Sequence, residues 1–356
     1  NLKNEFKYKT MKWYNWILIP ISLVYWIITS IRNLFFEIGI FKQNKFNIPI
    51  VGVGNITVGG TGKTPHSQYI SKLLQNNFKI AVLSKGYGRK TKGFKYVNID
   101  SNYVDVGDEP LQMKKNLPEL IIAVDHKRVN GVNKIMKEHP DVNCIILDDA
   151  FQHRSIKICF NILLCDYTNP IYKDWMMPVG LLRESKKGIK RADCVVISKC
   201  PENLTMEESK TIEKNLKFTK KIFFSKIIYD KIVSLNGNKT IEKTSLKKIL
   251  LVTGIANSNP IIEYLEKLNI QIKHLKYKDH FHYQKKDIDR IIDYYKKQNS
   301  EIIILTTEKD AQKMKEYEEL SNYPVYYLKV SVDFIRNKDK FDEKIMNYVK
   351  AHSQKR

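Results

Sequence analysis

Residues 13–31 carry no charge, and their apolar run (WYNWILIPISLVYWIITSI) stands apart from the rest of the chain. At about 1.5 Å per residue, a helix over that run reaches roughly 28 Å, close to the hydrocarbon thickness of a bilayer. Trp13, Tyr14, Trp16 and Trp26 suit a membrane interface, where an aromatic ring keeps one edge wet. Lys9 and Lys12 precede the run and Arg32 follows it, so flanking charge does not set an orientation. A signal peptide would show a shorter apolar stretch and a small-residue cleavage site. Asn15, Pro20, Ser22, Thr29 and Ser30 dilute the apolarity, which leaves open whether the helix spans the membrane or lies in its surface.

After Lys45 the pattern changes to short β-branched runs separated by helix-length segments. The runs at 48–53, 79–83, 120–124, 144–147, 162–165 and 194–197 read as buried strands of a parallel sheet covered on both faces. A second series begins near Lys248, with strands expected at 249–253, 271–275, 301–305 and 325–330. Between the two, residues 227–246 hold an Asn-Gly turn between strand-like flanks, which predicts a hairpin. The expected organisation is a membrane-associated helix at 1–36, a core α/β domain at 37–226, a hairpin linker at 227–247 and a second, smaller α/β domain at 248–356.

Composition narrows the class. The 356 residues are 43% hydrophobic and 11% aromatic, enough to build packed cores and to exclude wholesale disorder. Cys144, Cys159, Cys165, Cys194 and Cys200 form no CxxC pair and sit in or beside apolar runs, as reduced core cysteines do. A net charge of +23 is compatible with nucleic acid, an anionic membrane or a phosphorylated substrate. The lysines are spread along the whole chain, so no nucleic-acid partner is expected.

The chemistry begins at the first strand's end. Thr57, Val58, Gly59, Gly60, Thr61, Gly62, Lys63 and Thr64 run into a helical stretch at 66–75. In a P-loop, glycines let backbone N–H groups wrap a phosphate, the lysine reaches the β and γ oxygens, and the next hydroxyl ligates magnesium. Thr57 stands where the pattern wants its first glycine. A P-loop also needs an acidic partner for the metal at a neighbouring strand end. Asp148 and Asp149 follow the apolar 144–147 run, and Mg²⁺ is the group that would make two carboxylates affordable there. The expected fold is therefore a P-loop NTPase-like parallel sheet domain followed by the second α/β domain.

Two switch classes do not fit. The Ser198-Lys199-Cys200-Pro201 segment lacks the aspartate with which a GTPase reads guanine, and Val58 stands where partition-type ATPases carry a signature lysine. A phosphotransferase remains, acting on something reached from a membrane. By themselves, the other candidate residues stay open: Asp108 reads equally well as a helix cap, His280 as a loop histidine, and Arg183 with Glu184 as a surface ion pair.

Seven ordered motifs settle on one family. Residues 57–64, SKGYGR (84–89), GDEP (107–110), DDAFQHR (148–154), PVGLLRE (178–184), DHFHY (279–283) and TEKDA (307–311) resemble tetraacyldisaccharide 4′-kinases in order and spacing. Ala150 replaces a usual glycine and Leu181 a frequent proline. The resemblance implies a membrane-associated enzyme of lipid A (lipopolysaccharide) biosynthesis in Gram-negative bacteria. Such an enzyme transfers the γ-phosphate of ATP to the 4′-hydroxyl of a tetraacyl glucosamine disaccharide 1-phosphate, forming lipid IVA.

It implies further that Asp108 acts as catalytic base paired with His280, alongside Lys63. Thr64, Asp148, Asp149 and Glu184 would surround Mg²⁺, while Arg89, Arg128, Gln152, His153 and Arg183 would contact substrate. Lys309 and Asp310 read as structural. A base divided between two domains would tie chemistry to their closing over substrate. The expected partners are the acylated lipid and inner-membrane lipids, with a monomeric enzyme whose catalytic domains face the cytoplasm. The alternative is a membrane-tethered P-loop switch acting through protein partners.

Overall fold

The computed structural model describes residues 15–298 and 302–353. The aromatic positions Trp13 and Tyr14, the flanking Lys9 and Lys12, and the strand start expected at Glu301 lie outside the described residues. In chain order the first elements are α1 (Asn15–Glu37), β1 (Ile50–Gly54), α2 (Lys63–Gln75), β2 (Ile80–Ser84), β3 (Lys95–Tyr96), α3 (Tyr103–Val106), α4 (Asp108–Asn116) and β4 (Ile121–Val124). Next come α5 (Arg128–Glu138), β5 (Cys144–Asp148), β6 (Phe160–Asp166), β7 (Cys194–Ser198), α6 (Met206–Leu216), β8 (Lys221–Ser234) and β9 (Thr240–Ile241). The chain ends with β10 (Lys248–Thr253), α7 (Asn259–Lys267), β11 (Gln271–Lys276), α8 (Lys285–Lys296), β12 (Ile303–Thr307), α9 (Glu308–Met314), β13 (Val325–Arg336) and α10 (Lys338–Ser353).

These elements form two compact units. The first comprises the described parts of 1–83, 127–227 and 332–356. Its sheet runs β2-β5-β1-β6-β7-β8, parallel throughout. β1, β2, β5 and β7 are buried at every position, which is why they read as continuous apolar runs instead of alternating ones. α10 belongs to this unit: Phe341 packs edge-on to Phe223, and the Tyr69 hydroxyl of α2 donates to Asp342 at 2.8 Å.

The second unit comprises 84–126 and the described parts of 228–331. Its parallel sheet is β11-β10-β12-β13, and β3 pairs antiparallel with β4. α4 packs on α9, where Gln112 and Asn116 each donate to the buried Glu308 carboxylate at 2.8 Å.

This division departs from the sequential one read from the sequence. Residues 84–126 group with the second unit because α4 buries its polar face on α9, about two hundred residues on. Residues 332–356 return to the first unit through the aromatic contacts of α10. The 227–247 segment forms the expected hairpin, with Val233 opposite Thr240 and Gly237 at a positive φ of 82°, inside the second unit from residue 228.

Candidate active site

In the first unit, β1 ends at Gly54 and the chain crosses to α2 through the glycine-rich loop. A side chain on Gly54 would meet the Phe151 backbone nitrogen at 2.8 Å, so this residue lets β1 approach the loop after β5. Gly62 takes φ +83° and turns the chain into α2, whose first residue is Lys63. Asn55 donates to Thr61 Oγ1 at 2.8 Å and Ser198 to the Thr61 carbonyl at 2.8 Å, pinning the loop from two sides. His66, one turn into α2, is buried: its Nδ1 lies 2.7 Å from the Gly62 carbonyl and its Nε2 2.9 Å from Ser225 Oγ. The carbonyl can only accept, so Nδ1 carries the proton. Burial pulls this imidazole down to about 4.

The segment 174–184 runs alongside the loop. Val58 N–H donates to the Leu181 carbonyl at 2.7 Å, and Arg183 N–H donates to the Ile56 carbonyl at 2.8 Å. Arg183 then reaches Asp149 Oδ1 at 3.0 Å and the Asn55 side chain. Asp149 sits just past β5 in the left-handed region at φ 47°, with Lys63 Nζ 3.8 Å away. Burial raises the Asp149 carboxyl, but Lys63, Arg183 and Arg128 outweigh it and hold the group at about 2. Asp148 is buried at the strand end and accepts from Ser67 Oγ at 2.8 Å.

Gln152 bridges this cluster to Glu184, donating to the Asn55 carbonyl at 2.8 Å and to Glu184 Oε1 at 2.9 Å. Glu184 Oε2 accepts from Arg191 at 2.7 Å and from Asn33 at 3.1 Å. Arg128 is 2% exposed and gives Nη2 to the Asp148 carbonyl at 2.8 Å. His153 occupies the turn after Ala150, its N–H on the Ala150 carbonyl at 2.8 Å.

α1 is bound into the same cluster. Ser22 Oγ donates to the Met176 carbonyl and Tyr25 OH to the Arg183 carbonyl, both at 2.9 Å. Arg32 donates to the Gln152 carbonyl at 3.0 Å, and Arg154 to the Asn33 carbonyl at 2.8 Å. The opposite side of the helix leaves Trp16, Ile17, Ile21, Val24, Ile28 and Ile31 exposed, so it is long and apolar enough for a membrane.

The second unit assembles a different cluster. Gly107 caps α4, so Asp108 is its first helical residue and not the cap. His280 Nδ1 lies 3.4 Å and Lys313 Nζ 3.1 Å from Asp108 Oδ2. Lys309 Nζ sits 2.9 Å from both His280 Nε2 and Glu109 Oε1. Burial pushes the Asp108 carboxyl up. The His280 hydrogen bond and the charges of Lys309 and Lys313 overcome this and hold it well below the usual carboxylate range.

Asp108 and His280 thus belong to one compact unit and already touch, so forming the pair requires no domain closure. Lys309, which the sequence assigned to structure, is part of the pair's surroundings, and so is Lys313. The available signal was their spacing of four, which puts both on one face of α9. Arg89, in the same unit, is buried with Nη2 on the Gly93 carbonyl at 2.5 Å, while its Nε and Nη1 have no hydrogen-bond partner among the described residues.

The oxygen donors Thr64, Asp148 and Asp149 gather at the head of α2 and the end of β5, a hard donor set that suits Mg²⁺. All five cysteines are free thiols.

Residues 14–350 match the family model described as Tetraacyldisaccharide-1-P 4′-kinase. The Tetraacyldisaccharide 4′-kinase of Flavobacterium johnsoniae is 41% identical over 343 residues, covering 94% of this chain and 97% of that protein. Its counterpart from Phocaeicola vulgatus is 39% identical over 361 residues, 97% of each. The crystal structure of LpxK from Aquifex aeolicus in complex with ATP superposes with a TM-score of 0.73 at 28% identity, over 94% of this chain and 99% of that one.

Proposed function

We propose, for a chain that belongs to the tetraacyldisaccharide-1-P 4′-kinase family, that it transfers the γ-phosphate of ATP to the 4′-hydroxyl of a tetraacyl glucosamine disaccharide 1-phosphate. The carrying observation is the Lys63–Asp149–Arg183 cluster at the head of α2, read together with family membership over nearly the whole chain. The reaction supplies a phosphate in lipid A biosynthesis, and the switch alternative loses its motivation.

Phosphoryl transfer is positioning and charge neutralisation. Lys63 and the 57–64 backbone hold the nucleotide phosphates. Thr64, Asp148 and Asp149 would hold Mg²⁺, which when bound neutralises phosphate oxygens. Glu184 has both oxygens occupied by Gln152, Arg191 and Asn33, so its role is to brace Gln152 and the 174–184 segment. Arg183 keeps Asp149 ionised and fastens the loop through Asn55. Buried Arg128 supports the Asp148–Asp149 corner through the main chain, and His153 lines the same turn.

Asp108 takes the proton of the 4′-hydroxyl as that oxygen bonds to the γ-phosphorus and the bond to the bridging oxygen of ADP breaks. Its strongly depressed carboxyl is ionised at neutral pH, as a base must be. Arg89 keeps the N–H groups of Nε and Nη1 buried without a hydrogen-bond partner among the described residues, which suits them to donate to the substrate's own phosphate.

The lipid acceptor explains α1. A spanning helix needs about 20 residues surrounded by lipid. From Ser22 to Asn33, α1 is fastened to its own unit by hydrogen bonds, which leaves too little free length. The helix therefore lies in the surface of the inner membrane, apolar side down, and ATP places the enzyme on the cytoplasmic face. It works as a monomer among membrane lipids.

The test is to incubate the protein with γ-labelled ATP and the acylated disaccharide 1-phosphate in micelles, and to identify the product by mass and label position. Label at the 4′ position supports the reading. Slow hydrolysis without transfer, stimulated by a protein partner, returns the switch.

A further inference from the structure

We propose that Lys309 is a positioning residue that fixes the tautomer of His280, so that the imidazole presents Nδ1–H to Asp108 and cannot take up the proton that Asp108 removes. The proposal rests on Asp108 being the base. The tautomer itself follows from geometry.

A lysine ammonium has three donors and no acceptor. Burial works against the Lys309 charge, but the carboxylates of Glu109 and Asp108 overcome it and hold the group above its ordinary value. Lys309 is therefore a cation, with Nζ 2.9 Å from His280 Nε2. At that distance Nε2 must offer its lone pair. A neutral imidazole has one N–H, which is then on Nδ1, 3.4 Å from Asp108 Oδ2.

The backbone leaves the ring little freedom to do otherwise. His280 takes φ 54°, in the left-handed region, and its N–H is shared between the Gly254 carbonyl at 3.1 Å and Asp279 Oδ1 at 3.0 Å. Tyr87 covers the ring, centroids 4.6 Å apart. Lys309 is anchored in turn by Glu109, one residue beyond the base.

The consequence is a division of labour. Nδ1 already carries a proton and Nε2 is blocked by an ammonium, so protonating His280 would set two cations against each other. The proton taken from the acceptor hydroxyl passes to Asp108 and leaves that strongly depressed carboxyl for solvent without moving to His280, which acts as an orienting donor. The charged groups around the pair are Glu109 on α4, Asp279 and His282 on the loop before α8, Lys309, Asp310 and Lys313 on α9, and Lys90. Of these, Lys309 alone is placed on Nε2.

The experiment is ¹⁵N-histidine NMR of the full chain in detergent at neutral pH, with His280 assigned by its loss in His280→Gln. Wild type is expected to show His280 protonated at Nδ1 and unprotonated at Nε2. Lys309→Met should move proton density to Nε2, and Lys309→Arg, which also only donates, should restore the wild-type pattern. A wild-type His280 protonated at Nε2, or a pattern unchanged in Lys309→Met, overturns the proposal. This arm needs no substrate, so it stands apart from the kinase reading. In the transfer assay, Lys309→Met should lower kcat at least about tenfold with the KM for ATP unchanged. Its acid limb should move to higher pH as Asp108 loses a neighbouring cation, and Lys309→Arg should recover both. A matching loss in Lys309→Arg, or an unmoved acid limb, contradicts the assigned role.

Discussion

Tyr25→Phe isolates the link between the apolar helix and the phosphate loop. The hydroxyl donates to the Arg183 carbonyl at 2.9 Å, and the Arg183 N–H donates to the Ile56 carbonyl at 2.8 Å. Two residues earlier, the Leu181 carbonyl accepts from Val58. One lost neutral hydrogen bond is worth about 0.5–1.5 kcal/mol. If the segment 174–184 transmits all of it to the loop, nucleotide affinity falls by about two- to twelvefold. Adding Ser22→Ala removes the second tether, to the Met176 carbonyl at 2.9 Å, and roughly doubles the free-energy loss if the two are independent. Calorimetric titration of each variant with a non-hydrolysable ATP analogue in detergent reads the effect. Vesicle flotation run in parallel should not change, because neither hydroxyl lies among the exposed apolar side chains. Unaltered nucleotide affinity in the double variant would refute the coupling and reduce α1 to an anchor. Weakened flotation with intact affinity would show that the hydroxyls serve the membrane.

Further outcomes follow from the same contacts. His66 is held neutral at about 4 against an ordinary 6.5, so the unfolded chain binds more protons between those values and stability falls as pH drops from 6.5 towards 4. The loss amounts to about 3 kcal/mol, and His66→Gln should flatten that part of the profile in denaturant titrations. Lys313 and Asp108 are both nearly fully buried, so Lys313→Met takes away the cation nearest the carboxylate and leaves only His280 and Lys309 to offset its burial. It should cost about 3–5 kcal/mol in chemical unfolding, where a loss below about 1 kcal/mol would contradict the pairing. Gly54→Ala forces a methyl group to within 2.8 Å of the Phe151 nitrogen. It should destabilise the chain by about 1–3 kcal/mol and weaken nucleotide binding, and a neutral result would refute the close approach.

What could be read from sequence was whatever is local. The phosphate loop, the strand ending in Asp148 and the Asn-Gly hairpin are contiguous segments whose chemistry follows from spacing. The unit boundaries were not legible, because they depend on contacts such as Gln112 with Glu308 and Phe341 with Phe223, which no local pattern reveals. α1 shows the same limit at the scale of one residue. Ser22 read only as a dilution of apolarity, whereas it is a tether, and Thr29 satisfies its hydroxyl on the Tyr25 carbonyl at 2.9 Å. The Asp108–His280 pair came from the family's motifs, but Lys309 read as structural, and Lys313 went unremarked in a chain where lysines are abundant throughout. Abundance hid their burial: Lys313 is 1% exposed.

The most direct test of the central claim is transfer of labelled γ-phosphate to an acylated glucosamine disaccharide 1-phosphate in micelles, comparing wild type with Lys63→Ala and Asp108→Ala. Wild type is expected to yield a bisphosphorylated lipid, with transfer lowered by about a hundredfold or more in each variant. Full transfer by Asp108→Ala would remove the base. The absence of transfer from a folded, ATP-binding wild type would contradict the kinase itself.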